Sequence, residues 1–563
     1  MAFQLSPGVS VNEIDQTTVV PSVSTTAGAF AGYFNWGPVN KIIQITNEVN
    51  LVQIFGKPSN DSASSFFSAA NFLAYGDNLN VVRAVGSSAR NATGGTALTI
   101  QNSDVFQATY LNSNNGGSYG SFVARYPGAI GNSLAVSVCF KASDFSAWAY
   151  KGYFSSAPGT SQAASLAGGQ NDEMHIVVID NNGSFSGQVG TVLETFAFVS
   201  KAGNATINGV SNYYKNVIFN TSKYVFAIDP VDYTHQNATW GNPVTTNFDE
   251  TNSTGDTNLI ILSGGVDSVP ADSDLQNAFD LFINKEYIDI SLIVTGAVSA
   301  TVQNHVITAI AAARGDCVAF VSPPQTAVVN QAGSEVTNIT SWLASLGTTS
   351  TFAFADSGWK YQYDKYNSTY RWVPLNGDIA GLCVYTDTIS DAWFSPAGYT
   401  RGQVKNAIKL AWNPNKTQRD TIYNSGVNPV VSFPGQGVVL FGDKTLTNKP
   451  SAFDRINVRR LFILLEKAIS TSAKYSLFEQ NDEITRAQFV STITPFLRDV
   501  QGRRGVTDFK VVCDTTNNTA GVIDSNQFVG DIYIKPSRSI NFIQLNFVAV
   551  GTGVDFTTIV GAV

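Results

Sequence analysis

Charge is scarce in this chain of 563 residues: Asp, Glu, Lys and Arg make up 13% of it, against ~25% in an ordinary soluble protein. With 44% apolar residues, that excludes a disordered polyelectrolyte and a coiled coil. The uncharged polar surface must come from Asn, Ser, Thr and Gly. Basic residues are outnumbered, 34 to 42, for a net charge of -8, which argues against a phosphate-neutralising nucleic-acid binder and leaves room only for a local basic patch. Long hydrophobic runs are missing too. No stretch approaches the ~18 consecutive apolar residues of a membrane-spanning helix, so a soluble chain without membrane insertion is expected. The N-terminus, MAFQLSPGVSVNEID, lacks the basic start and apolar block of a secretory signal, and assembly in a cytoplasm is expected. Cys139, Cys317, Cys383 and Cys513 form no CxxC pair and read as reduced, buried thiols. His175, His235 and His305 stand too far apart for a zinc motif, so neither metal nor cofactor is expected.

What is present is an alternation of helix and strand patterns. DSASSFFSAANFLAYG (61–76) reads as a helix capped by Asp61 or Ser62 and ended by Gly76, and LNVVRAV (79–85) as a buried strand. At 271–285, Leu275, Ala278, Phe279 and Phe282 repeat with a 3.6-residue period before the strand YIDISLIVTG (287–296); a helix over 300–314 then leads through Gly315 into CVAFVSP. This spacing predicts βαβ units and a mostly parallel sheet covered on both faces. Between about 95 and 258, short β-prone runs such as MHIVVID (174–180) and TVLETFAFVS (191–200) alternate with Gly/Asn/Ser clusters, as in an inserted β-rich domain. From about 427, strands VNPVVSF and GVVLFGD precede a helix through RINVRRLFILLEKAIST, a second helix at 482–499, and strands FKVVCD (509–514), FVGDIYIKP (528–536) and INFIQLNFVAV (540–550). The expected fold is a multidomain α/β chain. It has an N-terminal arm (1–25), a core α/β domain in two parts (26–95 and 259–426), the β-rich insertion (96–258), a C-terminal α+β domain (427–539) and a C-terminal strand arm (540–563).

Catalytic patterns fail on context. GGSYG (116–120) matches a nucleophile elbow but lies in a turn-rich stretch without the flanking strand and helix. Gly437 to Thr445 resembles a phosphate loop with Asp443 as one residue too many, in a run that reads as strand. Asp180 to Gly183 could open a calcium loop, but the twelfth position is Thr191 where Glu is wanted. Arg314, Gly315 and Asp316 spell an adhesion tripeptide where a helix should end. The aromatic run YQYDKYNSTYRW (361–372) fits a hairpin with cross-strand pairs better than a sugar platform. No enzyme is expected on these grounds. Paired carboxylates of a glycan hydrolase leave no sequence signature.

The two ends are β-prone. Val9 and Val11 alternate with Ser10 and Asn12 ahead of Ile14, and Ile543, Leu545, Phe547 and Ala549 share one face of a strand whose other face carries Gln544 and Asn546. Each strand either completes its own domain or pairs with another copy, since an uncovered strand edge templates association. Head-to-tail pairing of copies generates rings or helical filaments.

Ordered blocks along nearly the whole chain, among them LSPGVSVNEID (5–15), TAGAFAGYFNWGP (26–38), NFLAYGDNLNVVRAV (71–85), YPGAIGNSL (126–134), RGDCVAFVSPP (314–324), FDRINVRRLF (453–462) and PSRSINFIQLNFVA (536–549), resemble the contractile tail sheath proteins of myovirus-type bacteriophages. The resemblance implies a virion tail subunit stacked as hexameric rings around a tail tube, on a baseplate and below a tail terminator. Contraction of those rings would drive the tube through the host envelope. It implies strand exchange by both arms, a tube-proximal C-terminal domain and outward insertions, with only a short stretch (101–121) where larger relatives carry an extra domain. Hinges are expected near Pro21 and near Lys535, Pro536 and Ser539. The alternatives are a virion-associated glycan-degrading enzyme or another tail or capsid subunit.

Overall fold

The computed structural model describes residues 23–112, 118–228, 239–248, 259–447 and 449–545. The chain forms two compact units. One spans Val20–Tyr475, and the other holds, of the described residues, 476–545.

In the larger unit β1 (Gly28–Tyr33) is buried along its whole length, followed by β2 (Ile42–Ile45), α1 (Glu48–Phe55), α2 (Ala63–Leu73) and β3 (Leu79–Ala84). Asn47 caps α1 by accepting from the Asn50 N–H at 2.8 Å. Helix α2 is shorter than its sequence pattern: Ser62 is at its N-cap and Ala74, not Gly76, at its C-cap. Within β3, Arg83 is buried and donates to four carbonyls, those of Phe34 (2.7 Å), Gly37 (2.8 Å), Pro127 (2.7 Å) and Asn35 (3.3 Å). Burial pulls its pKa down to about 10, and the carbonyls meet the hydrogen-bonding demand of the desolvated guanidinium.

Next come β4 (Phe122–Ala124), β5 (Leu134–Cys139), β6 (Glu173–Asp180), β7 (Thr191–Ser200), α3 (Tyr214–Thr221), β8 (Val225–Ala227) and β9 (Leu259–Ile261). Strands β9, β5, β6 and β7 form an antiparallel sheet in that order, and β4 pairs with β8. Leu134, Val136, Val138, Met174, Ile176 and Val178 join the core of this layer.

The chain then returns through α4 (Asp272–Asp280), β10 (Leu292–Val294), α5 (Ala300–His305, continuing as a π-helix over Val306–Ala312), β11 (Val318–Val321), α6 (Glu335–Leu346) and β12 (Ala353–Asp356). A hairpin of β13 (Trp359–Asp364) and β14 (Thr369–Pro374) precedes α7 (Asn376–Ile389), α8 (Lys416–Asn424), β15 (Val427–Asn428), the antiparallel pair β16 (Val430–Phe433) and β17 (Gly437–Leu440), and α9 (Ile456–Ala473). The strand expected over 287–296 is confined to Leu292–Val294, because a turn held by Asn284 Oδ1 and the Glu286 N–H leaves Tyr287 at the surface.

One seven-stranded sheet in the order β15-β12-β11-β10-β1-β3-β2 combines the two stretches, parallel except for β2. One face buries Phe66 and Phe72 of α2 and Ile379 and Leu382 of α7 against Val81, Leu292 and Phe320. The other buries Phe279, Val302, Ile307, Ile339 and Trp342 of the remaining helices against Ala29, Val82, Ile293 and Ala319. This is the mixed α/β class, with the parallel sheet that the alternation predicts.

Two glycines let α7 approach α2. A methyl group on Gly377 would collide with the Ser68 carbonyl oxygen, and one on Gly381 with the Tyr75 ring. Substituting Gly377→Ala should destabilise the larger unit by about 1–3 kcal/mol through overpacking, read as a lowered midpoint in urea.

At the end of β12, Asp356 is fully buried: its Oδ2 accepts from Ser322 Oγ at 2.6 Å and its Oδ1 from the Gly358 N–H at 2.9 Å. Desolvation raises its pKa from 3.8 to about 8. The folded state therefore holds a proton that the unfolded chain has released, and the associated stability is full below about pH 4 and lost as pH rises through 8. Asp356→Asn should flatten that part of the profile, as measured by thermal melting between pH 4 and pH 9.

Candidate assembly surface

In the smaller unit, α10 (Glu483–Gly502) begins where Asp482 accepts from the Thr485 N–H at 2.8 Å, with Glu483 in the first turn. Hydrogen bonds from Thr485 hold the Asp482 carboxyl below its usual range. One stripe of α10, carrying Arg486, Phe489, Ile493, Leu497 and Val500, is buried. Beyond it β18 (Val506–Val512) pairs antiparallel with β19 (Asp531–Pro536), with a register shift between Val506 and Asp508. Cross-strand partners share a face. Phe509 opposite Ile534 and Val511 opposite Ile532 make the half-buried face; Lys510 and Tyr533 are exposed on the other.

Asn518 pins the connection between the strands. It is buried, its Nδ2 donates to the Val529 carbonyl at 2.8 Å, and its Oδ1 accepts from the Val529 N–H at 2.8 Å. The sheet stops at two strands, and neither outer edge is paired among the described residues. A groove of about 490 Å³ runs beside the end of β18, lined by Ala487, Val490, Ser491, Thr494 and Pro495 of α10 and by Val511, Cys513 and Asp514. Small residues at 487, 491 and 494 leave that face of α10 low, and Pro495 brings no N–H to the ladder.

The sequence-derived arm residues divide. Val9, Val11, Ile14, Pro21, Phe547 and Ala549 lie outside the described residues. Ile543 and Leu545 are 77% and 72% exposed in a segment without strand pairing, and Phe542 beside them is 85% exposed. The strand expected from 540 is thus absent over 540–545, where no strand among the described residues pairs with the segment. Lys535 and Pro536 sit inside β19, opposite Asp508 and Val506, with Lys535 Nζ 3.0 Å from Asp508. Ser539 falls in the irregular segment beyond. The groove face of α10 was not singled out from sequence; its signal was the run of small residues one step off the buried stripe.

The other motifs are consumed by the fold. Asp180 accepts from Ser133 Oγ and from Phe185 and Ser186, which depresses its pKa against the pull of burial and closes a turn. Arg314 is buried, ion-paired to Asp316 at 2.8 Å and bonded to the Phe282 carbonyl at 2.6 Å. Gly437–Leu440 is strand β17, and Asp443 beyond it lies 3.4 Å from Arg455. Tyr361 opposes Trp372 and Tyr363 opposes Tyr370 across the hairpin. The four cysteines are buried and unbridged, and desolvation pushes Cys317 and Cys383 up to about 12. Among the described residues, no three His, Cys, Asp or Glu side chains gather as a metal site.

Comparison with known proteins shows which family this architecture belongs to. The phage tail sheath protein central domain matches residues 270–446, the phage tail sheath C-terminal domain residues 448–549, and the tail sheath protein Gp18 domain III N-terminal region residues 25–84. The tail sheath protein of Vibrio phage KVP40 is 34% identical over 696 aligned positions, covering 99% of this chain and 100% of that one. That of Enterobacteria phage T4 is 35% identical, covering 99% of each. The sheath tail protein Lin1278 of Listeria innocua shares the fold, with a TM-score of 0.54 at 11% identity over 92% of this chain and 93% of that one. The chain belongs to the phage tail sheath protein family. It is a structural subunit of a phage tail sheath.

Asn518→Ala would leave both backbone groups of Val529 without their partner, at a cost of about 1–3 kcal/mol. Faster hydrogen exchange over 509–534, with exchange in β1 and β3 unchanged, is the expected readout.

Proposed function

We propose that this protein polymerises as stacked hexameric rings around a tail tube, bound to a baseplate at one end and a terminator at the other. It contracts to drive the tube through the host envelope, and is assembled in the host cytoplasm. The role is mechanical and non-enzymatic. Contraction needs two packings of one subunit separated by a free-energy gap and a barrier, so the energy is stored on assembly and no nucleotide is consumed.

The observation that carries this reading is the two-stranded sheet whose outer edges are unpaired among the described residues, beside a groove and followed by an exposed apolar segment. Isolated two-stranded sheets are marginal, and open edges accept strands from other chains. Residues 1–20 and 540–563 of neighbouring copies are the natural complements, with Val9, Val11, Ile14, Ile543, Leu545, Phe547 and Ala549 as the arm residues that meet the neighbour. Pro21 and the segment from Lys535 and Pro536 to Ser539 serve as hinges. We assign the C-terminal region, expected at 427–539, to the tube side and the insertion at 96–258 to the outside. The alignment spans 696 positions against 563 residues, so that relative carries sequence this chain lacks, and we assign the missing outer domain to the short stretch 101–121.

Deleting 1–20 or 540–563 should leave a folded monomer that forms no tubes in negative-stain micrographs. Normal striated tubes from either truncation would overturn the arm role.

A further inference from the structure

Helix α9 carries two cations seven residues apart, Arg460 and Lys467, which two helical turns place on one face. Both point at the start of β1. Arg460 is 4% exposed and grips Asp387 of α7 with two parallel bonds, Nη1 to Oδ1 at 2.9 Å and Nη2 to Oδ2 at 2.6 Å. Burial works against the charge on Arg460, but Asp387 outweighs it and holds the guanidinium above its ordinary value. Thr25 Oγ1 donates to the same Asp387 Oδ2 at 2.6 Å, and the Thr25 carbonyl lies 3.4 Å from Arg460 Nη2.

Lys467 Nζ binds Asp289 Oδ1 (2.7 Å), the Ile290 carbonyl (2.7 Å) and Ser291 Oγ (3.0 Å). Ser291 passes the connection on, its Oγ donating to the Ser24 carbonyl at 3.0 Å and its N–H to the Ala27 carbonyl at 2.8 Å. The last residues before β1 are thereby tied twice, once through Asp387 and once through Ser291. Helix α9 ends at Ala473, two residues before the larger unit gives way to the smaller.

We infer that Arg460 and Lys467 are the positioning residues of the N-terminal arm's root, fastening Ser24 and Thr25 to the helix that leads into the C-terminal unit. Tension on either terminal segment then arrives at one helix, and the central strand of the sheet is shielded from being drawn out. This rests on the reading that residues 1–20 reach a neighbouring subunit.

The test leaves the buried Arg460–Asp387 pair intact. Thr25→Val with Lys467→Met removes one tie on each side and strands no buried charge, since Asp289 is largely exposed. In the full-length protein, amide exchange over 26–29 should rise about tenfold, the effect of losing one or two hydrogen bonds, and Thr25→Ser should restore part of the protection. Tubes should still form, but sheaths triggered to contract should break into short pieces. Unchanged exchange over 26–29, or full-length contracted sheaths from the double variant, would overturn the clamp. The arm reading fails separately, if deletion of 1–20 leaves assembly intact while exchange still responds to the clamp variants.

Discussion

Everything in the larger unit depends on the lateral pairing of β1. Its six residues, GAFAGY, are buried throughout and bond on one side to β3 and on the other to β10, which begins more than two hundred residues later. The strand must be narrow: a methyl at Gly28 would sit 2.6 Å from the Phe72 ring, and one at Gly32 would sit 2.7 Å from Phe30. Small residues at the centre of the sheet let the aromatic side chains of α2 lie directly on it.

The position of β1 also sets the mechanical logic of the subunit. A pull on the chain ahead of Gly28 would act along an interior strand flanked by two parallel neighbours. Force along a paired strand loads its ladder of hydrogen bonds together, and the α9 ties at Ser24 and Thr25 stand in front of that ladder. The C-terminal unit takes the opposite course. Among the described residues, two strands and one long helix bury a modest stripe and leave the sheet edges unpaired beside a groove.

Much of the fold was legible in the sequence. The 3.6-residue stripe of Leu275, Ala278, Phe279 and Phe282 became α4 and the turn after it, and the alternation of helix and strand announced a parallel sheet. Element ends were less legible. The 287–296 strand reading overran because apolar content is the same whether a residue enters the sheet or, like Tyr287, lies on a turn at 89% exposure. The C-terminal pattern was visible as alternation, yet over 540–545 it takes no strand form, since a strand is defined by a paired strand and none among the described residues lies alongside.

Local periodicity, capping and the order of sequence blocks by themselves determined the secondary elements, the α/β class and the sheath family, because each depends on residues a few positions apart or on the sequence alone. Tertiary structure decided the rest: β1 between β3 and β10, the four carbonyls around Arg83, the groove beside β18, and the convergence of Thr25, Asp387 and Arg460. Thr25 meets Asp387 across 362 positions and Arg460 meets it across 73. Contacts at such separations carry no periodic signal, and a buried charge finds its partner only when packing has removed the water that would otherwise serve it.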